Sequence, residues 1–234
     1  MRLLLFSNST NAGEEYLGYA MPYINEFLAK ISGPGIFIPF AGISLGMDKY
    51  YTMVKLKFDA INIKIQSIHN VSNMVQSINE ANFIVVGGGN TFCLLKELQT
   101  LGLMDPIRER VQDGIPYIGW SAGSNVTSPT IKTTNDMPIV EPDNFKALQL
   151  IPFQINPHYI DFKMEDHAGE TREMRIEEFI LANKDLYVAG LREGTLLACG
   201  DKICRSFGQP GGQTRQQPHD YLVGEAKMRG GRPW

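Results

Sequence analysis

Ser121 stands in the run Tyr117-Ile118-Gly119-Trp120-Ser121-Ala122-Gly123, a G-x-S-x-G pattern. The apolar residues Ile115 to Trp120 read as a buried strand, and the polar stretch after the serine is compatible with a helix. A sharp strand-to-helix turn holds such a serine in a strained conformation with its hydroxyl clear of the sheet. The two glycines are needed because a side chain at either would crowd the neighbouring strand and helix. N–H groups at the start of the helix can face an oxyanion. The pattern alone is weak evidence, and the strand before it supplies the weight. A serine nucleophile needs a base, and the base needs an orienting group. Four histidines are present. His69 follows an edge-like strand, His167 sits in a charged loop, and His219 lies near the C-terminus. His158 ends a structured segment after an apolar run and a proline, and it is the favoured base. Two acids can orient it: Asp136, in a long loop before Met137-Pro138, and Glu193, in a tight turn between two strands.

Gly87-Gly88-Gly89-Asn90-Thr91 follows another apolar run, Phe83 to Val86. It is not a dinucleotide fingerprint, because position 92 is Phe, and it lacks the lysine of a phosphate-binding loop. Three successive glycines cost backbone entropy that a simple turn does not require, so their N–H groups are candidates to face a developing oxyanion.

The elements that must position these groups follow from periodicity. Arg2 to Phe6 reads as a first strand, with the polar turn Ser7 to Asn11 at its end. Leu17, Ala20, Met21, Ile24, Phe27 and Leu28 form one helical stripe. Ile36 to Pro39 is a second strand, and Asp48 to Phe58 is moderately helical. Ile61, Ile63 and Ile65 alternate with polar residues, which predicts an edge strand. A short helix spans Ser72 to Asn79. Asp105-Pro106 is expected to open a helix that Gly114 closes. Pro129 to Pro142 reads as a long loop. Glu170 to Leu181 is expected to be helical with Met174, Ile176, Phe179 and Ile180 inward, and Leu186 to Leu191 and Thr195 to Cys199 as strands. This alternation predicts an α/β fold with a mostly parallel sheet and helices on both faces. Ligands in such sheets sit beyond the C-terminal strand ends, where Ser7 to Asn11, Gly87 to Thr91 and Ser121 all fall.

The chain has 234 residues and a net charge of −3. That length fits one large domain, expected over residues 1–204, followed by a divergent, loosely ordered tail over 205–234. The charge gives no footprint for nucleic acid or an anionic membrane. Cys93, Cys199 and Cys204 are expected to be reduced thiols in a cytoplasmic protein, because they are odd in number and lack metal-ligand spacing. No apolar run approaches a membrane span.

Several stretches together resemble the peptidase E family of cytosolic aspartyl dipeptidases: Leu3 to Thr10, Phe37 to Gly42, Val85 to Phe92, Tyr117 to Gly123, Thr133 to Val140, Gln154 to His158 and Gly169 to Glu173. The resemblance implies a fold similar to class I glutamine amidotransferases, a flavodoxin-like arrangement with serine in place of cysteine. It implies a serine dipeptidase that removes an N-terminal aspartate through an acyl-enzyme, with a small dipeptide as its partner and no metal or cofactor. Ser121 would be the nucleophile and His158 the base. Both Asp136 and Glu193 stay open as the third member, Glu193 as the likelier orienter and Asp136 as a binder of the substrate ammonium. Gly88 and Ala122 N–H groups would form the oxyanion hole, Arg172 would bind the aspartyl carboxylate, and Asn90 is a further substrate-binding candidate. A monomer and a homodimer are both compatible. The alternatives are a related serine peptidase or esterase and a non-catalytic binder of aspartyl compounds. The departure from the family lies after Cys204, where its usual final strands do not align.

Overall fold

The computed structural model describes residues 1–160, 169–200 and 204–208. Strand β1 (Arg2–Phe6) is an interior strand of a seven-stranded sheet. Its residues alternate between two cores: Leu3 and Leu5 pack on one face, Leu4 and Phe6 on the other. This two-faced burial is why the strand is apolar throughout. Helices α1 (Met21–Leu28) and α2 (Met47–Asp59) cover the second face through Ile24, Val54 and Phe58. Helices α3 (Met74–Glu80), α4 (Thr91–Thr100) and α5 (Met104–Gln112) cover the first face through Ile78, Leu94, Leu98 and Ile107.

The remaining strands are β2 (Gly35–Ile38), β3 (Ile65–Ser67), β4 (Ile84–Val86), β5 (Pro116–Trp120), β8 (Thr195–Cys199) and β9 (Cys204–Gly208), in the spatial order β3-β2-β4-β5-β1-β8-β9. The first five of that order run parallel, and β8 and β9 are antiparallel. After β5 comes the single turn α6 (Ala122–Asn125). Strands β6 (Gln154–Tyr159) and β7 (Val188–Arg192) form a separate two-stranded parallel sheet, bridged by α7 (Arg172–Ala182). The expected α/β architecture with a mostly parallel sheet and helices on both faces is present.

Four local expectations shift. The edge strand lies over Ile65–Ser67 rather than from Ile61: Asn62 turns the chain at φ +59, and Ile61 and Ile63 pack, partly buried, on the second core. The alternation marked packing of a turn, not a pleat. The first helix begins at Met21, with Pro22 in its first turn, because Leu17 is buried in a left-handed conformation at φ +57. Helix α5 starts at Met104 with Leu103 as N-cap, so Asp105 and Pro106 lie inside its first turn. On α7, Ile176 is buried, but Met174 is half exposed and does not face the core.

The cysteine expectation is corrected as well. Cys199 and Cys204 lie directly opposite each other in the β8–β9 hairpin and are joined by a disulfide, while Cys93 is free and buried. Their spacing gave no hint of the hairpin that brings them together. Strand β9 carries the sheet past the expected boundary at residue 204 to Gly208, and residues 209–234 lie outside the described ones. Among the described residues no helix is long and apolar enough to cross a membrane.

Leu5 is fully buried on the strand that pairs with both β5 and β8. Leu5→Ala is expected to lower unfolding free energy by about 2–5 kcal/mol. Urea titration should show a lower midpoint at unchanged slope.

Candidate active site

Ser121 is the N-cap of α6 and sits at φ +52, ψ −114, a strained backbone for a residue with a side chain. Its neighbours explain how the strain is held. A Cβ on Gly119 would stand 2.4 Å from the Gly123 carbonyl oxygen, and one on Gly123 would stand 2.1 Å from the Val86 carbonyl oxygen. Both glycines therefore let α6 press onto β4 and β5, as the motif requires. The Ser121 N–H donates to Phe6 O at 3.1 Å, and the Ser124 hydroxyl donates to Phe6 O at 2.7 Å.

The Ser121 hydroxyl lies 2.8 Å from His158 Nε2, and His158 Nδ1 lies 3.0 Å from Glu193 Oε1. These two side chains come from the small sheet. The β6–β7 register is regular at Asn156↔Gly190, then shifts before Tyr159↔Arg192. His158 sits in that irregularity at φ +54. Such a bulge re-aims a side chain, here turning the imidazole toward Ser121. Glu193 follows directly on β7, in the turn to β8.

Asp136 is placed differently. Its Oδ2 accepts from the Thr91 N–H at 2.7 Å, the Thr91 hydroxyl at 2.6 Å and the Thr134 hydroxyl at 2.9 Å. It thus anchors the long loop to the N-terminus of α4, where the helix dipole favours a carboxylate. The two acids that sequence reasoning left open stand in separate places: Glu193 on the histidine and Asp136 on the cavity wall. The other histidines are elsewhere. His69 bridges Ser67 and Asp48 at 2.6 and 3.0 Å, a superficially similar chain, but Ser67 is fully buried. His167 and His219 lie outside the described residues.

The cavity over Ser121 is open and has a volume of about 640 Å³. Gly88, Asn90, Asp136 and His158 line it together with the serine, and Ile43, Leu45 and Ile139 form its apolar rim. A Cβ on Gly88 would stand 3.0 Å from Ser121 Cβ, so the Gly88 backbone abuts the serine. Ala122 is fully buried at the first position of α6. Asn90 caps α4 through Oδ1, which accepts from Cys93 N–H at 3.1 Å, and its Nδ2 donates to Met137 O at 2.8 Å. Arg172 is not on the cavity wall. Its Nη1 donates to Asn135 Oδ1, next to Asp136, and Asn135 Nδ2 donates to Pro157 O at 2.7 Å. Partial burial holds the Arg172 guanidinium below the usual arginine range, and the neighbouring Arg175 adds to this. Among the described residues no group of three His, Cys, Asp or Glu side chains is placed to hold a metal ion.

Tyr50 had no sequence signal. Its ring fills the space above Gly42 and Gly87, whose Cβ atoms would come within 2.2 and 2.5 Å of it. Its hydroxyl donates to Gly88 O at 3.0 Å and accepts from Trp120 Nε1 at 3.0 Å, tying the glycine turn to the serine's own strand. Burial pushes this phenol up to about 12, so it keeps its proton near neutrality. Each of the three glycines thus has its own reason: Gly87 admits Tyr50, Gly88 abuts Ser121, and Gly89 adopts φ +135 against Ala41 O.

A hydroxyl on an imidazole that is held by a carboxylate, mounted on a positive-φ strand-to-helix turn, is the apparatus of a serine-type hydrolase. The profile of peptidase family S51 matches residues 3–206. Peptidase E of a Nostoc species is 48% identical over 229 residues, covering 94% of this chain and 95% of its own. Peptidase E of Haemophilus influenzae is 46% identical over 196 residues, covering 83% of this chain and 90% of its own. A Listeria monocytogenes crystal structure provisionally assigned as a peptidase E superposes with a TM-score of 0.67 at 26% identity, covering 89% of this chain and 98% of that one. A peptidase from an acI-B1 actinobacterium shares the fold, with a TM-score of 0.61 at 17% identity and 93% of each chain covered. The chain belongs to peptidase family S51, and it is a serine-type peptidase.

Gly123→Ala drives a Cβ into the Val86 backbone, whereas Gly200 faces open space. The first change is expected to cost about 1–3 kcal/mol or more, and Gly200→Ala about 0.5 kcal/mol or less. Thermal melts of the two variants check this.

Proposed function

We propose that the protein is a dipeptidase that hydrolyses dipeptides with an N-terminal aspartate through an acyl-enzyme. The observation that carries the reading is the continuous chain Ser121–His158–Glu193, with bonds of 2.8 and 3.0 Å. Ser121 Oγ attacks the peptide carbonyl as His158 Nε2 takes its proton. Glu193 orients the imidazole through Nδ1 and stabilises the imidazolium that forms. The Gly88 and Ala122 N–H groups receive the developing oxyanion. His158 then protonates the departing amine, and water hydrolyses the aspartyl ester by the same route in reverse.

Substrate selection falls to the charged groups around the cavity. Asp136 holds the substrate ammonium: its Oδ2 is fixed by three donors, which leaves Oδ1 for the ligand. Asn90 stands beside it with a second Nδ2 hydrogen to donate. Arg172, set behind the wall beside Asn135, receives the aspartyl side-chain carboxylate. The support is electrostatic: among the described residues this partly buried guanidinium bonds to a neutral amide rather than to a carboxylate, and a carboxylate matches its planar fork. The substrate is a small dipeptide, and neither nucleic acid nor a membrane is a partner. The enzyme acts in the cytoplasm as a monomer or homodimer. The family resemblance supports that placement; the cysteines no longer do, since two are bridged. Residues 1–204 carry the whole catalytic apparatus, and no metal or cofactor takes part.

Purified protein incubated with Asp-Leu, Asn-Leu and Leu-Asp is expected to release amino acids from Asp-Leu alone. Ser121→Ala should reduce that turnover to near background. Glu193→Gln should lower kcat, while Asp136→Asn and Arg172→Met should also raise KM. Equal cleavage of Asn-Leu, or full activity in Arg172→Met, would overturn the assignment of the carboxylate site.

A further inference from the structure

The turn after β1 supplies no reacting group, yet its first residues are buried and fully engaged. Ser7 is fully buried. Its hydroxyl donates to Leu191 O at 2.7 Å and accepts from the His158 N–H at 2.9 Å. Its own N–H donates to Thr195 O at 3.0 Å. Asn8 is 2% exposed, and its Oδ1 accepts from the Gly194 N–H at 2.8 Å and the Tyr19 hydroxyl at 2.7 Å. Its Nδ2 donates to Thr10 O at 2.8 Å and Asn11 Oδ1 at 3.0 Å. Gly194, at φ +78, directly follows Glu193.

Three consecutive residues therefore each hold one member of the catalytic chain by its backbone or by its neighbour's. Phe6 O takes the Ser121 N–H, the Ser7 hydroxyl takes the His158 N–H, and Asn8 Oδ1 takes the N–H after Glu193. The geometry matters because the nucleophile rides on the large sheet, whereas the base and its orienter ride on β6 and the end of β7. The large and small sheets share no strand, so something must set their separation to a fraction of an ångström. We propose that Ser7 and Asn8 are positioning residues that clamp the His158–Glu193 pair in register with Ser121. The inference rests on the proposed function only in taking Ser121, His158 and Glu193 as nucleophile, base and orienter; the preference for aspartate plays no part in it.

Neither residue touches substrate in this arrangement, so their loss should leave ground-state binding alone. Misplacing a base by about 1 Å can cost on the order of 10²-fold in rate. Ser7→Ala and Asn8→Ala are expected to lower kcat for Asp-Leu by about 10- to 100-fold with KM changed less than threefold. The rate of Ser121 labelling by a fluorophosphonate should fall in parallel, because that reaction also needs the base but no aspartyl recognition. Tyr19→Phe, which removes only the hydroxyl bonded to Asn8, is the milder variant should a buried change prevent folding, and a smaller fall of the same kind is expected. The proton between His158 Nδ1 and Glu193, followed as a downfield NMR resonance, reads the clamp without any catalysis and should exchange faster in each variant. Failure of the wild type to cleave Asp-Leu while labelling normally would count against the substrate assignment alone. Folded variants that keep their labelling rate and this resonance unchanged would overturn the clamp, as would a loss explained wholly by a reduced folded fraction.

Discussion

The structure depends on how closely α6 approaches the sheet. Ser121 can hold φ +52 only while the turn of helix behind it presses onto the β4 and β5 backbones. That approach leaves no room for a Cβ at Gly119 or Gly123, where backbone carbonyls stand 2.4 and 2.1 Å from where one would be. Backbone cannot step aside as a side-chain tip can, so the two glycines are steric necessities rather than flexible joints. The same approach brings the Gly88 backbone against the serine. The Ser121 side chain and the Gly88 backbone beside it are thereby fixed by packing, and a site fixed in advance is the condition for electrostatic stabilisation without reorganisation.

The rest of the site is assembled around that point from both sheets. Strand β1 is their meeting place. It pairs in parallel with the serine's strand on one side and antiparallel with β8 on the other, and the turn beyond it bonds to β6 and to the end of β7. Charge is distributed with the same economy. Asp136 sits at the N-terminus of α4, where Thr91 and Thr134 satisfy one oxygen. Arg172 sits beyond Asn135, which also ties the long loop to Pro157. Tyr50 serves the opposite wall, where its buried hydroxyl joins the glycine turn to Trp120.

What the sequence determined by itself was local. The strands β1, β4 and β5 were legible because a strand buried on both faces is apolar without interruption, and the G-x-S-x-G turn because its steric demand falls on residues two positions from the serine. His158 stood out because it ends a structured run, and the parallel architecture followed from the alternation of strands and helices. The tertiary structure alone decided which pairs meet. Glu193 reaches His158 and Asp136 does not, a matter of the β6–β7 register and its bulge. Ile61 and Ile63 mimic a pleat while packing a turn, and Met174 fits the helical period yet faces solvent. Cys199 and Cys204 bond because a hairpin aligns them. Ser7 and Asn8 were legible as polar residues at the crevice but not as holders of other groups, and Tyr50 gave no signal, since the partners concerned, His158, Gly194 and Gly88, lie 151, 186 and 38 residues away. Side-chain periodicity records only whether a residue is buried. A hydrogen bond across two sheets depends on the direction of both groups in space, and that direction exists only once the sheets are packed.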